Sequence, residues 1–428
     1  MLRNRMFFFG LILLLVVIAA PTLLAANEVT TIRYAFWGNP AAIGVEKDII
    51  DEFEKAYPTI KVEPIAVGYN DYHPKLLTLI AGGQAPDVMR IDSFYFADFL
   101  RVKALQDITK LIKRDHLKVE SYYQAGLLDS MNKGKYYGLP WSTAPYYMII
   151  NLKMFKDAGI PVPSLDWKWN DFVRISKALT KGEGANRQYG FADDFQMSHI
   201  LPWVWGDGGD LFDKTRKKFT LNSKAATAKI QQLADLCKQD IFPDPAQFPS
   251  AEVLNRWTVN HKVAMRFGSA QEVLALQNVN GFEFEVLPYP GGATNPRTTL
   301  FKSNTVGISS ASKKQEAAWT FLKFLRAPGM RGEVLYMEAK RMPPTVDSPE
   351  LWKIYADPTK SPRKIAEVTQ ACASKYGHVL PLRPGWLEIQ GLLTPQLQKV
   401  FAGQLPAATV LKEIAPKVEE IMRRTDSQ

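Results

Sequence analysis

From Thr31 to Trp37 apolar and polar positions alternate, with Ile32, Tyr34 and Phe36 on one face. A period of two predicts a strand, and the turn cluster Trp37-Gly38-Asn39-Pro40 ends it. Val45, Ile49 and Phe53 then recur every fourth residue, with Asp48, Asp51, Glu52 and Glu54 between them. That spacing predicts an amphipathic helix stopped by Pro58. Ile60 and Val62 open a second alternating strand. Asp71 to Ala81 carries Leu76, Leu77 and Ile80 at helical spacing. Gly82-Gly83 ends this helix, because glycine accepts the left-handed backbone that follows a helix terminus. Val88 to Ile91 is a short strand. The order β-α-β-α-β predicts a sheet flanked by helices.

Further along, helical spacing returns at Asp171 to Leu179, Lys224 to Leu236 and Gln315 to Leu325. Tyr146 to Asn151, Lys262 to Phe267, Phe284 to Leu287 and Thr305 to Ile308 read as strands. Loops and short helices are expected over Pro328 to Pro362, and terminal helices over Leu397 to Met422.

The N-terminus sets the compartment. Arg3 and Arg5 precede an apolar run from Met6 to Leu24, broken only by Gly10, Pro21 and Thr22, and small Ala25 and Ala26 follow. This order is that of a secretory signal peptide cleaved near Ala25 or Ala26. No cysteine lies nearby, so a periplasmic protein is expected, and not a lipoprotein. No later window is apolar enough to span a bilayer. Cys237 and Cys372 enter an oxidising space, where pairing and two free thiols are both open.

Composition narrows the function by exclusion. The 428 residues are 46% hydrophobic and 22% charged, an ordinary globular usage. A net charge of +10 over this length is a mild bias rather than a nucleic-acid footprint. There is no phosphate loop, no dinucleotide fingerprint, no H-E-x-x-H and no G-x-S-x-G. The five histidines are scattered, without a ligand pair at i, i+4. No catalytic residue, metal or cofactor is expected. Asp193-Asp194 reads as a solvated or ligand-orienting pair, and Tyr122-Tyr123, Tyr136-Tyr137 and Tyr146-Tyr147 read as structural.

Aromatic residues beside small polar ones are the positive signal. They occur at Trp37-Gly38-Asn39, Trp141-Ser142-Thr143, Trp203-Val204-Trp205-Gly206-Asp207 and Arg383-Pro384-Gly385-Trp386. A sugar ring stacks its C–H face on an aromatic ring and needs hydrogen-bonding partners around its hydroxyl rim.

Asp48–Glu63 (DIIDEFEKAYPTIKVE) and Tyr72–Val88 (YHPKLLTLIAGGQAPDV) resemble the extracellular solute-binding proteins of ABC importers. The group is family 1, the maltose-binding-protein-like carbohydrate binders. The resemblance continues through Tyr136–Ile160, Trp167–Thr180, Trp205–Asp213, Asn260–Gly268, Tyr289–Gly292 and Ser309–Leu325, in the family's order. It implies an α/β, two-lobe periplasmic-binding-protein fold, each lobe a mixed sheet flanked by helices, with the ligand in the cleft between. The N-terminal lobe would comprise 27–142 and 301–342, and the C-terminal lobe 143–300 and 343–428. Crossings would lie at Gly138–Pro145, Thr299–Asn304 and near Glu338–Val346.

Carried over residue by residue, Trp37, Asn39, Asp92 and Tyr95 would form the N-lobe wall, with Tyr69 beside them. Trp141 and Thr143 would sit at the hinge. Tyr146, Asp194, Trp203, Trp205, Arg266, Gly268 and Ser269 would come from the C-lobe, and Arg383 and Trp386 would close the cleft. The implied protein is a monomer that hands a sugar to membrane permease subunits and binds no nucleic acid. His261 stands where relatives carry glycine, Ser269 where an aromatic residue is frequent, and Phe301–Asn304 lacks the usual Gly-Gly. A glycerol phosphate or related phosphorylated polyol, clamped by Arg266 and Arg383, is the alternative ligand. An exported glycan-active enzyme using Asp92 and Asp194 is the alternative class.

Overall fold

The computed structural model describes residues 28–426 apart from 39, 249, 296, 340, 341, 358 and 360. The expected signal peptide and the candidate Asn39 lie outside the described residues.

The chain opens with β1 (Thr30–Trp37), α1 (Pro40–Ala56), β2 (Ile60–Val67), α2 (Tyr69–Ala81), β3 (Val88–Ile91) and α3 (Ser93–Arg101). The strands that follow and bear on the site are β4 (Leu139–Pro140), β5 (Ala144–Pro145) and β6 (Tyr147–Asn151). After α4 (Met197–Gly206) come β7 (Met265–Gly268), α5 (Ala270–Gln277), β8 (Phe284–Leu287), β9 (Thr299–Lys302) and β10 (Thr305–Ile308). The chain finishes through α6 (Gln315–Arg326), β11 (Gly377–His378), α7 (Trp386–Phe401) and α8 (Ala407–Asp426).

One sheet has the order β2-β1-β3-β10-β4, with β1 parallel to β2 and β3, and β10 antiparallel to both neighbours. A second sheet, β8-β6-β7, is antiparallel. Between them stands β11-β9-β5, in which β9 runs antiparallel to β5. Because β4, β5 and β6 are consecutive, and β9 and β10 likewise, the chain passes between the sheets twice, side by side and in opposite directions. Both passages fall where the sequence placed its first two crossings. The strand added beside them is β11, at Thr299↔Gly377, well beyond Glu338–Val346. Met342 and Val346 instead pack into the first sheet's core.

The alternation of β6 serves two cores. Met148 and Ile150 pack with Phe172, Phe267 and Trp203, while Tyr147 and Ile149 pack toward the core holding Ile32, Phe53 and Trp319. α7 and α8 close the second core. The crossing is tightly bonded: the Trp141 N–H donates to the Asn304 carbonyl at 2.7 Å, and the Ser93 N–H to Asn304 Oδ1 at 3.1 Å. Gly138 has no room for a side chain, since a Cβ there would strike the Val306 carbonyl. His261 takes the left-handed backbone (φ 55°) usual for glycine, and its Nδ1 lies 3.0 Å from the Asn151 amide. Cys237 and Cys372 are both free thiols. No helix of the described residues is long and apolar enough to cross a membrane.

Candidate functional site

The first wall is built at the carboxyl ends of β1 and β3, where open α/β sheets place their ligands. Trp37, the last residue of β1, lies against Tyr69 (ring centroids 5.8 Å apart), His73 (5.4 Å) and Trp141 (5.9 Å). Beneath it the buried Arg90 guanidinium donates to the Trp37 carbonyl at 3.2 Å and lies 3.7 Å from the Trp141 ring centroid. Trp37 and Trp141 therefore form the base of the wall. Tyr69 is its exposed edge.

Asp92 is the hub of this wall. As the N-cap of α3 it accepts the Phe94 N–H at 3.0 Å. Its Oδ2 accepts from Tyr69 Oη at 3.2 Å and from Lys302 Nζ at 2.8 Å. Its own N–H donates to His73 Nε2 at 3.1 Å. His73 stacks flat on Tyr95, 3.8 Å between centroids, and burial holds its pKa down to about 4. The ring is thus neutral near pH 7, with Nε2 as acceptor and the proton on Nδ1, which finds no partner.

The second wall comes from the start of β6, α4 and the turn after β7. Tyr146 stands edge-on to His199 at 5.3 Å. His199 Nδ1 lies 2.6 Å from Asp193 Oδ1 and 3.0 Å from Asp194 Oδ1. Burial alone would lower the His199 pKa, but the two carboxylates outweigh it and raise it to about 10. Burial raises Asp193 to about 6, whereas Asp194 is held low by His199 and the Gln196 N–H despite its own burial. These three groups are the donor set of a divalent-cation site, yet a protonated imidazole already sits between both carboxylates. Arg266, also buried, donates to the Phe267 carbonyl at 2.9 Å and to Asn255 Oδ1 at 2.5 Å. Gly268 leaves no room for a Cβ beside Ile149. Ser269 caps α5 through a capping box with Glu272.

The two walls lie within electrostatic reach of each other. The Tyr69 phenol is pushed up by burial, then by Asp92 and Tyr95, with Tyr146 contributing from the opposite wall. The Tyr146 phenol is pushed up by burial, then by Glu272, Asp92 and Asp194. Lys302 and the buried Thr143 sit at the crossing between them. Trp386, expected to close the cleft, is instead 1% exposed within the second core, where it lies nearly parallel to Phe94, 6.5 Å between centroids; Lys302 Nζ stands 4.1 Å from the Phe94 ring centroid.

The other expected residues have different surroundings. Trp203 is buried among Trp169, Phe172, Phe267 and Tyr289 in the second core. The segment expected to bring both tryptophans to the cleft is helix α4, and every residue of α4 is buried. Trp205 donates Nε1–H to Asp210 at 2.8 Å and stacks on His378. Arg383 donates to the Arg216 and Met422 carbonyls and to Asp426, tying down α8. His73, Phe94, His199, Glu272 and Lys302 entered the site without a sequence expectation. For Lys302 a signal existed: a lysine stands in a crossing strand at the stretch lacking Gly-Gly.

The family model of the bacterial extracellular solute-binding proteins matches residues 41–331. The ABC substrate-binding protein Lmo0181 of Listeria monocytogenes, solved in complex with cycloalternan, superposes with a TM-score of 0.81 at 25% identity, covering 92% of this chain and 100% of that one. The diacetylchitobiose binding protein DasA of Streptomyces coelicolor is 23% identical over 85% of this chain and 83% of its own. An uncharacterized lipoprotein of Streptomyces antibioticus is 26% identical over 71% of this chain and 68% of its own. The fold is the two-lobe fold of such binding proteins.

Proposed function

We propose that this chain, which belongs to the bacterial extracellular solute-binding protein family, captures a sugar or oligosaccharide between its two lobes and delivers it to the permease of an ABC importer. The observation that carries the reading is the pair of opposed walls. Tyr69 and Asp92 on one side and Tyr146 on the other, at the two ends of the paired crossing strands, are close enough to act on one another electrostatically. Aromatic faces with fixed acceptors suit a ring that is apolar on its faces and hydroxylated at its rim. Similarity to a protein solved in complex with cycloalternan and to one named for binding diacetylchitobiose supports a glycan.

Ligand contact is assigned to Tyr69, Asp92, Tyr95, Tyr146, Asp194 and Ser269, with Trp37, Trp141 and Thr143 beneath them. Lobes that hinge on the crossing strands close on the ligand, and the permease draws on the closed form. The ligand leaves unchanged: Asp92 is spent on Lys302 and a helix cap, and Asp194 on His199, so neither is a free acid. The protein works as a periplasmic monomer after cleavage near Ala25 or Ala26, without a lipid anchor. A thermal-shift panel of neutral oligosaccharides, polyols and glycerol phosphates tests the reading. A raised melting temperature with a glycan, without turnover of it, is expected. Hydrolysis of the stabilising glycan, or a response to phosphate esters alone, would overturn it.

A further inference from the structure

We propose that Lys302 and Asp92 form a charge lock that makes the cleft select uncharged ligands; the proposal rests on the sugar-binding reading above for the location of the ligand. Lys302 is a cation on the crossing strand β9, at the junction of the two walls. Its side chain is 14% exposed and that of Asp92 is 2% exposed, and their charged atoms are 2.8 Å apart. The ammonium also stands against the face of Phe94. A buried lysine without a counter-ion would be costly, and it would attract any phosphate or carboxylate that entered. Asp92 meets both demands internally.

The other charges of the cleft are also held by partners inside the protein, one of them by an ion pair and two by neutral groups. His199 is bound to Asp193 and Asp194. Arg266 is bound to Asn255 and the Phe267 carbonyl, and Glu272 to the Ser269 N–H at 2.7 Å. Four carboxylates thus face three cations, and the phenols of Tyr69, Tyr95 and Tyr146 all sense Asp92 as a negative neighbour. An anionic ligand would have to break the lock and face the surplus carboxylate, whereas hydroxyls bond to the paired groups without separating them. Exclusion of the wrong ligand by like charge is a common route to specificity.

The test replaces Asp92 by Asn, and separately by Ser, which retains a helix-capping oxygen. Glycerol 3-phosphate and glucuronate serve as anionic probes, and maltotriose, arabinotriose and diacetylchitobiose as neutral ones, by thermal shift and calorimetry. In the wild type the anions are expected to give no shift. In Asp92→Asn and Asp92→Ser the freed ammonium should bind them at least about tenfold more tightly than the wild type does. Adding Lys302→Met should abolish the gain. Anion binding by the wild type equal to that of the variants overturns the lock, as does a gain that survives Lys302→Met. Neutral glycans that fail to bind the wild type, beside an anion gain in the variants, leave the lock standing and overturn the sugar-binding reading.

Discussion

His73 and His199 stand in opposite walls of one cleft and are held in opposite charge states. His73 is packed among rings, flat against Tyr95, and burial pushes it down to about 4. His199 is equally enclosed, but Asp193 and Asp194 override burial and lift it to about 10. The same side chain is an acceptor in one wall and a cation in the other. What decides is the nearest partner, a ring or a carboxylate, and not the depth of burial. The first wall is therefore an aromatic platform with one fixed ion pair, and the second an ionic frame carrying one half-buried phenol.

The widest separation between the walls is expected in stability. His199→Ala leaves Asp193 and Asp194 buried together and should cost about 3–5 kcal/mol in urea denaturation, as breaking a buried pair does. His73→Ala removes a ring stack and an acceptor for the Asp92 N–H and should cost about 1–3 kcal/mol. Equal losses would erase the distinction. A second contrast separates core from cleft. Trp203→Ala should cost about 3–5 kcal/mol of folding free energy, whereas Tyr69→Ala, at the exposed edge of the first wall, should weaken glycan binding by about 1–3 kcal/mol. Retained affinity in Tyr69→Ala would remove that residue from the site.

The smallest effects concern pH. His199, raised in the folded state from 6.5 to about 10, adds stability that is complete below pH 6.5 and is lost as pH climbs through 10. His73, lowered from 6.5 to about 4, adds stability that is complete above pH 6.5 and is lost as pH falls through 4. Imidazole resonances should show His73 titrating near 4 and His199 still protonated at pH 8. Two rings titrating together near 6.5 would contradict the comparison.

Where periodicity is strong, the sequence and the structure agree closely. Val88–Ile91, Phe284–Leu287 and Thr305–Ile308 have the same bounds in both, and helix 71–81 extends only to Tyr69. Alternation and turn residues are local signals, and these elements are locally determined. The aromatic signal was weaker, because tryptophan in a short loop and tryptophan in a buried helix have the same neighbours in sequence. Trp203 illustrates this: beside Val204-Trp205-Gly206-Asp207 it reads as a cleft residue, but the segment is helix α4 and every residue of it is buried. The ion pairs were illegible for another reason. Asp92 and Lys302 are 210 positions apart, and no spacing rule connects residues that meet only when two crossings run side by side.

The most direct test of the account is small-angle X-ray scattering of the mature protein with and without the glycan that gives the largest thermal shift. Binding between two hinged lobes predicts a smaller radius of gyration at saturation, and Tyr69→Ala should need more glycan to reach it. An unchanged radius at saturating glycan would mean that the ligand sits on one lobe alone, and would contradict a site shared by both walls.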